Sequence, residues 1–166
     1  MQKELEEYLD KHNIKYKEYK HEAVFTVEQS LRVKDSLPQD VFHTKNLFLK
    51  DESKKFFLVC MHAYSLLNLK SLKELLHAKK KLSFASAEQL KSHLNLMPGS
   101  VSIFGMMFPS SSKVTLIIDK KIFSAKKVGF HPNINTATLV LDHTNFEKFL
   151  NTLDCEKQAL DLENEN

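Results

Sequence analysis

The chain is 166 residues long, the size of one compact domain, with 42% hydrophobic and 27% charged residues. That balance excludes a disordered or fibrous chain, and no apolar window approaches the length of a membrane span. The net charge of +3 is mildly basic and by itself requires no nucleic acid.

In chain order, Leu5, Tyr8, Leu9 and His12 recur at helical spacing and predict a short amphipathic helix. The same charged start, MQKELEEYLDKHN, lacks the apolar run of a secretory signal. IKYKEYKH alternates and predicts a strand exposed on one face. In FTVEQSLRV, Thr26 followed by Gln29 is a capping-box pattern that opens a helix, and Pro38 punctuates its end. KNLFLKD and KFFLVCM are apolar runs joined by DESKK. They predict a β-hairpin, with Lys45 at the start of its first strand and Cys60 buried in its second. NLKSLKELLHA places Leu69, Leu72, Leu75 and Leu76 on one helical face behind Asn68 as a cap. SAEQLKSHL repeats the capping box with Ser86 and Gln89. LMPGSVSIFGMMFPSSS holds two of the three glycines and two of the four prolines. KVTLIID predicts a strand, and KKVGFHPNINTATLVLD a turn-rich loop running into another. TNFEKFLNTL predicts a helix capped by Thr144 and Glu147. After Asp154 the chain is polar and expected to fray, so the domain is drawn at 1–153 and an acidic, flexible tail at 154–166. Without regular β-α alternation, these elements make one α+β domain, a mixed sheet flanked by short helices.

From Asp154 to Asn166 five acids accompany one base, a net of −4, which leaves +7 on the remainder. A basic body with an acidic tail is compatible with an RNA partner, and a solvated surface is the simpler account. The same two readings apply to the lysine runs AKKKL and KKIFSAKK. Two scattered cysteines make neither a disulfide framework nor a zinc site and fit a reducing cytoplasm. The histidines form no ligand pattern, so no metal is expected. No GxGxxG, P-loop or nucleophile elbow is present.

Two loops and one lysine remain. In MPGSVSIFG, Pro98-Gly99 marks a turn whose N–H groups suit a carbonyl or phosphate oxygen, or which simply joins two elements. In GFHPNINTAT, Gly129 frees the backbone and Pro132 fixes it. His131 with Asn133 or Asn135 then presents polar groups from a rigid loop, or the asparagine only caps the turn. Lys45 reads locally as a strand-end lysine that protects an edge; a functional role needs a concave site where its ammonium meets an anion.

HEAVFTVEQ, HTKNLFLKD, LSFASAEQL, PGSVS and VGFHPNINTATLVL occur in that order. Together they resemble the YbaK-like family, the editing domain inserted in bacterial prolyl-tRNA synthetases and its free-standing relatives, from about Leu5 to about Leu153. KNLFLKD is most similar to the free-standing alanyl-tRNA(Pro) deacylase branch. The resemblance implies a mixed, partly barrel-like sheet flanked by short helices. It implies hydrolysis of the ester joining a wrong amino acid, most often alanine, to the terminal adenosine of tRNA(Pro). A synthetic pocket rejects a smaller competitor poorly, so a second site that excludes proline by size must clear the product.

The resemblance also assigns residues. Lys45 and His131 are the catalytic pair: Lys45 at the pocket mouth on the phosphate or ribose end of the tRNA, offsetting developing negative charge, and His131 holding the substrate or helping position water. The binding set is Thr26, Lys45, Asn46, Gly99, Ser100, Val101, Ser102, His131 and Asn135. No metal, cofactor or protein general base is implied, the substrate's own ribose hydroxyl helping to place the water. The implied partners are the acceptor end of aminoacylated tRNA(Pro) and prolyl-tRNA synthetase or another translation factor, with no membrane and with a monomer sufficient.

Two positions depart from the family pattern. Ile103 stands where a proline is usual, which restores an N–H and loosens the loop, and DVFH stands where a glycine-containing approach is common. The missing proline supports an alternative, a non-catalytic tRNA-binding or synthetase-associated module. A third reading is a binder of free amino acids.

Overall fold

In a computed structural model of the chain, residues 1–162 are described. Among them, five α-helices accompany an eight-stranded mixed sheet. Lys3–Lys11 forms α1, which buries Leu5 and Leu9, and Lys17–Lys20 forms β1. Val27–Asp35 forms α2. Its capping box is complete: the Thr26 hydroxyl accepts from the Gln29 N–H, and the Gln29 side chain accepts from the Thr26 N–H.

Val41–Asp51 is β2 and Phe56–His62 is β3, an antiparallel hairpin in register from Thr44↔His62 to Lys50↔Phe56. β2 begins earlier than the apolar run announces, so Lys45 lies inside the strand and not at its start. The reason is non-local: Val41, Phe42 and His43 pair in parallel with Lys127, Val128 and Gly129 of a distant strand.

Leu69–Leu75 forms α3, capped by Asn68, whose side chain accepts from the Ser71 N–H. Leu72 is buried while Leu75 is 39% exposed, so only part of the expected leucine face turns inward. Leu82–Phe84 is β4, and Ala87–Leu94 is α4 behind the expected Ser86–Gln89 box. Short 3-10 turns lead into β5, Val114–Asp119, and β6, Lys127–Phe130; β7, Ala137–Asp142, runs straight into α5, His143–Asn151. The cap of α5 is Asp142, not Thr144. Asp142 is the last extended residue and accepts from the Asn145 N–H at 2.8 Å, whereas Thr144 is already helical.

The expected boundary at 153 is also corrected. Lys157–Leu160 forms β8, parallel to Leu116–Asp119 of β5, and Leu162 beyond it is buried. Residues 163–166 of the expected tail lie outside the described residues.

The ladders follow the order β1-β7-β6-β2-β3-β5-β8, with β4 added to β2, and the path ends at β1 and β8 without closing. One face of the sheet buries Phe48, Leu58 and Cys60 in the larger core with α1, α4 and α5. The other buries Leu49, Val59 and Met61 in a smaller core with Leu72 of α3.

This order leaves a gap. On one edge β2 is laddered to β3 from Thr44 to Lys50. On the other it is laddered to β6 only as far as His43, and to β4 only from Leu49. Single bonds close the two ends. The Thr44 hydroxyl donates to the Gly129 carbonyl at 2.7 Å, and the Ala85 N–H donates to the Phe48 carbonyl at 2.9 Å. Main-chain groups of successive strand residues point to alternate edges. The Ala63 N–H donates to the His43 carbonyl on the β3 side, so Asn46, three residues on and beyond the end of the β6 ladder, turns its N–H and C=O into the gap.

Candidate active site

The gap opens into a cleft of about 200 Å³, whose wall includes Asn46, Leu47, Phe84, Gly99 and Val101. Asn46 is nearly buried, and its side-chain Oδ1 has no hydrogen-bond partner.

The glycine loop closes over this cleft as a tight turn. The Ser100 N–H donates to the Met97 carbonyl at 3.1 Å, and Gly99 adopts φ +86°. Pro98 then Gly99 is the sequence a type II turn requires, because only glycine enters that region without strain. The Phe25 ring stands 3.6 Å from where a Cβ on Gly99 would be, so α2's entry packs on the turn. Ser102 has another role. It is fully buried; its hydroxyl accepts from the Phe104 N–H and donates to the His131 carbonyl. Ile103 follows it as the first residue of a 3-10 turn and is itself fully buried. A proline is tolerated at a first helical position because its missing N–H has no partner there anyway. With isoleucine, the Ser102 cap and the core packing of Ile103 hold the segment.

His131 is half-buried. Its Nδ1 lies 3.2 Å from the Ala137 carbonyl, which can only accept, so Nδ1 carries the proton and Nε2 keeps a lone pair. Burial holds its pKa below the ordinary 6.5; the Ala137 bond opposes this shift and nearby His21 adds to it. With His43, Thr44 and Tyr64 it lines a separate hollow of about 40 Å³. The two sites are pinned together by the Ser102–His131 bond.

Lys45 stands on the other face of β2. Its cross-strand neighbour is Met61 of the smaller core, whereas that of Asn46 is Cys60 of the larger one. Its ammonium is half-buried and donates to the Ser65 carbonyl. Burial lowers its pKa, and among the described residues no carboxylate pairs with it.

The structure thus brings Asn46, Gly99 and Val101 onto one wall, with Ser100 in the turn beside them. Ser102 is structural and His131 lies behind it. Lys45 projects from the opposite face. Thr26 is exposed, but its oxygen is occupied by the cap. Asn135 takes part through its main chain, its carbonyl accepting from the Val24 N–H at 3.3 Å. Sequence reasoning missed Phe84 and Phe25, which are 60% and 72% exposed beside the cleft and the turn. Their only local signal is a large aromatic next to a capping box. No group of three or more His, Cys, Asp or Glu among the described residues is arranged to hold a metal ion. No helix among them is long and apolar enough to cross a membrane.

Residues 21–149 match the family model of the aminoacyl-tRNA editing domain. The chain is 32% identical over 155 residues to prolyl-tRNA editing protein ProX of Acetoanaerobium sticklandii, with 93% of each covered. It is 32% identical over 152 residues to prolyl-tRNA synthetase associated domain-containing protein 1 of Danio rerio, covering 90% of this chain and 81% of the relative. A solved structure described as a candidate trans-editing enzyme for prolyl tRNA synthetase aligns over 100% of this chain and 99% of its own, with a TM-score of 0.72 at 15% identity, which speaks for the fold alone. The chain belongs to the aminoacyl-tRNA editing domain family. By that membership it is an aminoacyl-tRNA deacylase.

Proposed function

We propose that this chain is a trans-editing deacylase that hydrolyses the ester of mischarged tRNA(Pro), with Ala-tRNA(Pro) as its principal substrate. The observation that carries this reading is the gap in β2. There Asn46 offers a main-chain N–H and C=O, together with an Oδ1 that has no partner. A buried acceptor left unpaired costs about 1–3 kcal/mol, which a ligand's donor restores. An aminoacyl ester has the matching groups: an α-ammonium for Oδ1 and a carbonyl for the N–H. Leu47, Phe84 and Val101 line the cleft with apolar surface, which suits the methyl group of alanine, and the reading requires the proline ring to be turned away there by its size. The names of the relatives support tRNA(Pro) as the carrier.

Lys45 is a half-buried cation held on a neutral carbonyl, so an arriving phosphate, or the oxyanion that develops on the ester carbonyl, gives it the counter-charge that it lacks. Binding substrate requires this side chain to leave Ser65 and reach around the edge of β2 at the gap. His131, neutral with Nε2 as acceptor, orients the water or the terminal ribose hydroxyl. That hydroxyl places the water, and no side chain serves as general base.

The test is release of labelled amino acid from Ala-, Ser-, Cys- and Pro-tRNA(Pro), with wild type and Lys45→Ala compared. Fast loss of alanine alone, slowed about 10²–10³-fold in the variant, is expected. No hydrolysis of any of the four would sink the reading.

A further inference from the structure

We infer that the groove between α3 and β4 is the track for the phosphate backbone of the RNA whose 3′ end enters the cleft. This inference rests on the editing reading. The groove, about 890 Å³ in volume, is walled by Lys70, Lys73 and Glu74 of α3 and by His77, Lys81 and Leu82. From Leu69 to Leu82 the sequence holds five lysines, Lys70, Lys73, Lys79, Lys80 and Lys81, against one acid, Glu74. The lysines are brought together by the end of α3. His77 takes a left-handed φ of +54°, the Ala78 N–H donates back to the Lys73 carbonyl, and the chain turns Lys79–Lys81 beside the helix. Among the described residues no ion pair uses any of the five. Elsewhere Lys3 pairs with Glu7, Arg32 with Glu22 and Lys127 with Asp40, so what distinguishes the five is their clustering on one groove and not the lack of a partner alone.

Position selects RNA as the occupant. β4 is three residues long. Its first residue, Leu82, lines the groove, and its last, Phe84, lines the cleft. At about 3.3 Å per residue the two openings are roughly 7 Å apart along the strand. A chain leaving the cleft therefore passes Phe84, whose exposed ring offers a stacking face to an unpaired base, and reaches unpaired ammonium groups that suit phosphates. The second lysine run, Lys120–Lys127, lines neither the cleft nor this groove, and its Lys127 is held by Asp40 at 3.0 Å.

The experiment is a salt series of binding to uncharged tRNA(Pro), for wild type, Lys70→Gln/Lys73→Gln/Lys81→Gln, and a control triple, Lys3→Gln/Lys11→Gln/Lys148→Gln, that removes the same charge from α1 and α5. Glutamine keeps helix propensity close to that of lysine, and thermal melts verify folding. The groove triple is expected to bind at least about tenfold more weakly at 0.1 M salt, with the slope of log K against log salt reduced by about 2–3. The control is expected to change by less than about threefold and to keep its turnover of Ala-tRNA(Pro). Equal weakening by the two triples overturns the track, as does failure of wild type to bind tRNA, or tighter binding of a polyglutamate peptide than of tRNA. A lowered slope in the groove triple, in a protein that hydrolyses no mischarged tRNA, leaves the track standing and removes the editing reading instead.

Discussion

Along one edge β2 is bonded to β3 from Thr44 to Lys50, and every residue from Phe56 to Met61 of that partner is buried. Along its other edge the same strand is bonded at both ends and left open between them. The contrast separates two uses of one segment. The closed edge satisfies the backbone and buries side chains on both faces, which is what stability requires. The open edge leaves polar groups in a concave place, which is what recognition requires.

Substitutions on either side should therefore part company. Lys45→Ala is expected to lower kcat/KM for Ala-tRNA(Pro) by about 10²–10³-fold, the scale of losing one electrostatic stabiliser of the transition state. Its urea midpoint should stay near wild type, and a collapse of stability instead would make Lys45 a structural lysine. Leu58→Ala, in the fully buried middle of β3, should show the reverse: a loss of about 2–5 kcal/mol in denaturant titrations, with near-normal turnover in the folded fraction. Gly99→Ala forces a side chain to φ +86° and is expected to cost about 1 kcal/mol or more while raising KM. If neither changes, the turn does not form the cleft wall. Thr26→Ala removes the α2 cap and should cost about 0.5–2 kcal/mol, with a smaller rise in KM because Phe25 and the turn loosen together.

The pH response sharpens the comparison. Burial holds His43, His62 and His131 below the ordinary 6.5. The unfolded chain therefore takes up protons first as pH falls. The stabilising contribution is complete above pH 6.5 and is lost on acidification as the pH passes down through the folded-state values. Equilibrium unfolding from pH 8 to 5 should show this decline, and His131→Gln should flatten it. A decline equally steep in the variant would assign the effect to the other two histidines.

How much of this was legible in the sequence depends on range. The caps at Thr26, Asn68 and Ser86 rest on contacts three residues away, and the sequence announced them correctly. The cap of α5 was misplaced by two residues because Thr144 and Glu147 imitate the pattern, while Asp142 wins by being the last extended residue. β8 was invisible because an edge strand with one half-exposed face looks like any polar tail. The early start of β2 and the gap beside it depend on which distant strand arrives at each end, information that no local window holds. The candidate site residues were nominated through motif order. Their division between two faces of β2, and the structural role of Ser102, came only from the packing.

The bond between Thr44 and Gly129 joins residues 85 apart in the chain. A hairpin such as β2–β3 closes in about 1–10 μs, but the gap has no second wall until β6 exists. At roughly 5–20 residues per second of synthesis, about 3–14 s separate the completion of β3 from that of β6 on the ribosome. For those seconds the nascent chain is expected to display Lys45 on a finished hairpin without any place to hold an ester, so ribosome-bound chains ending before Lys127 should neither retain nor hydrolyse mischarged tRNA. Editing by this protein begins with the completion of its chain and not with the appearance of its lysine.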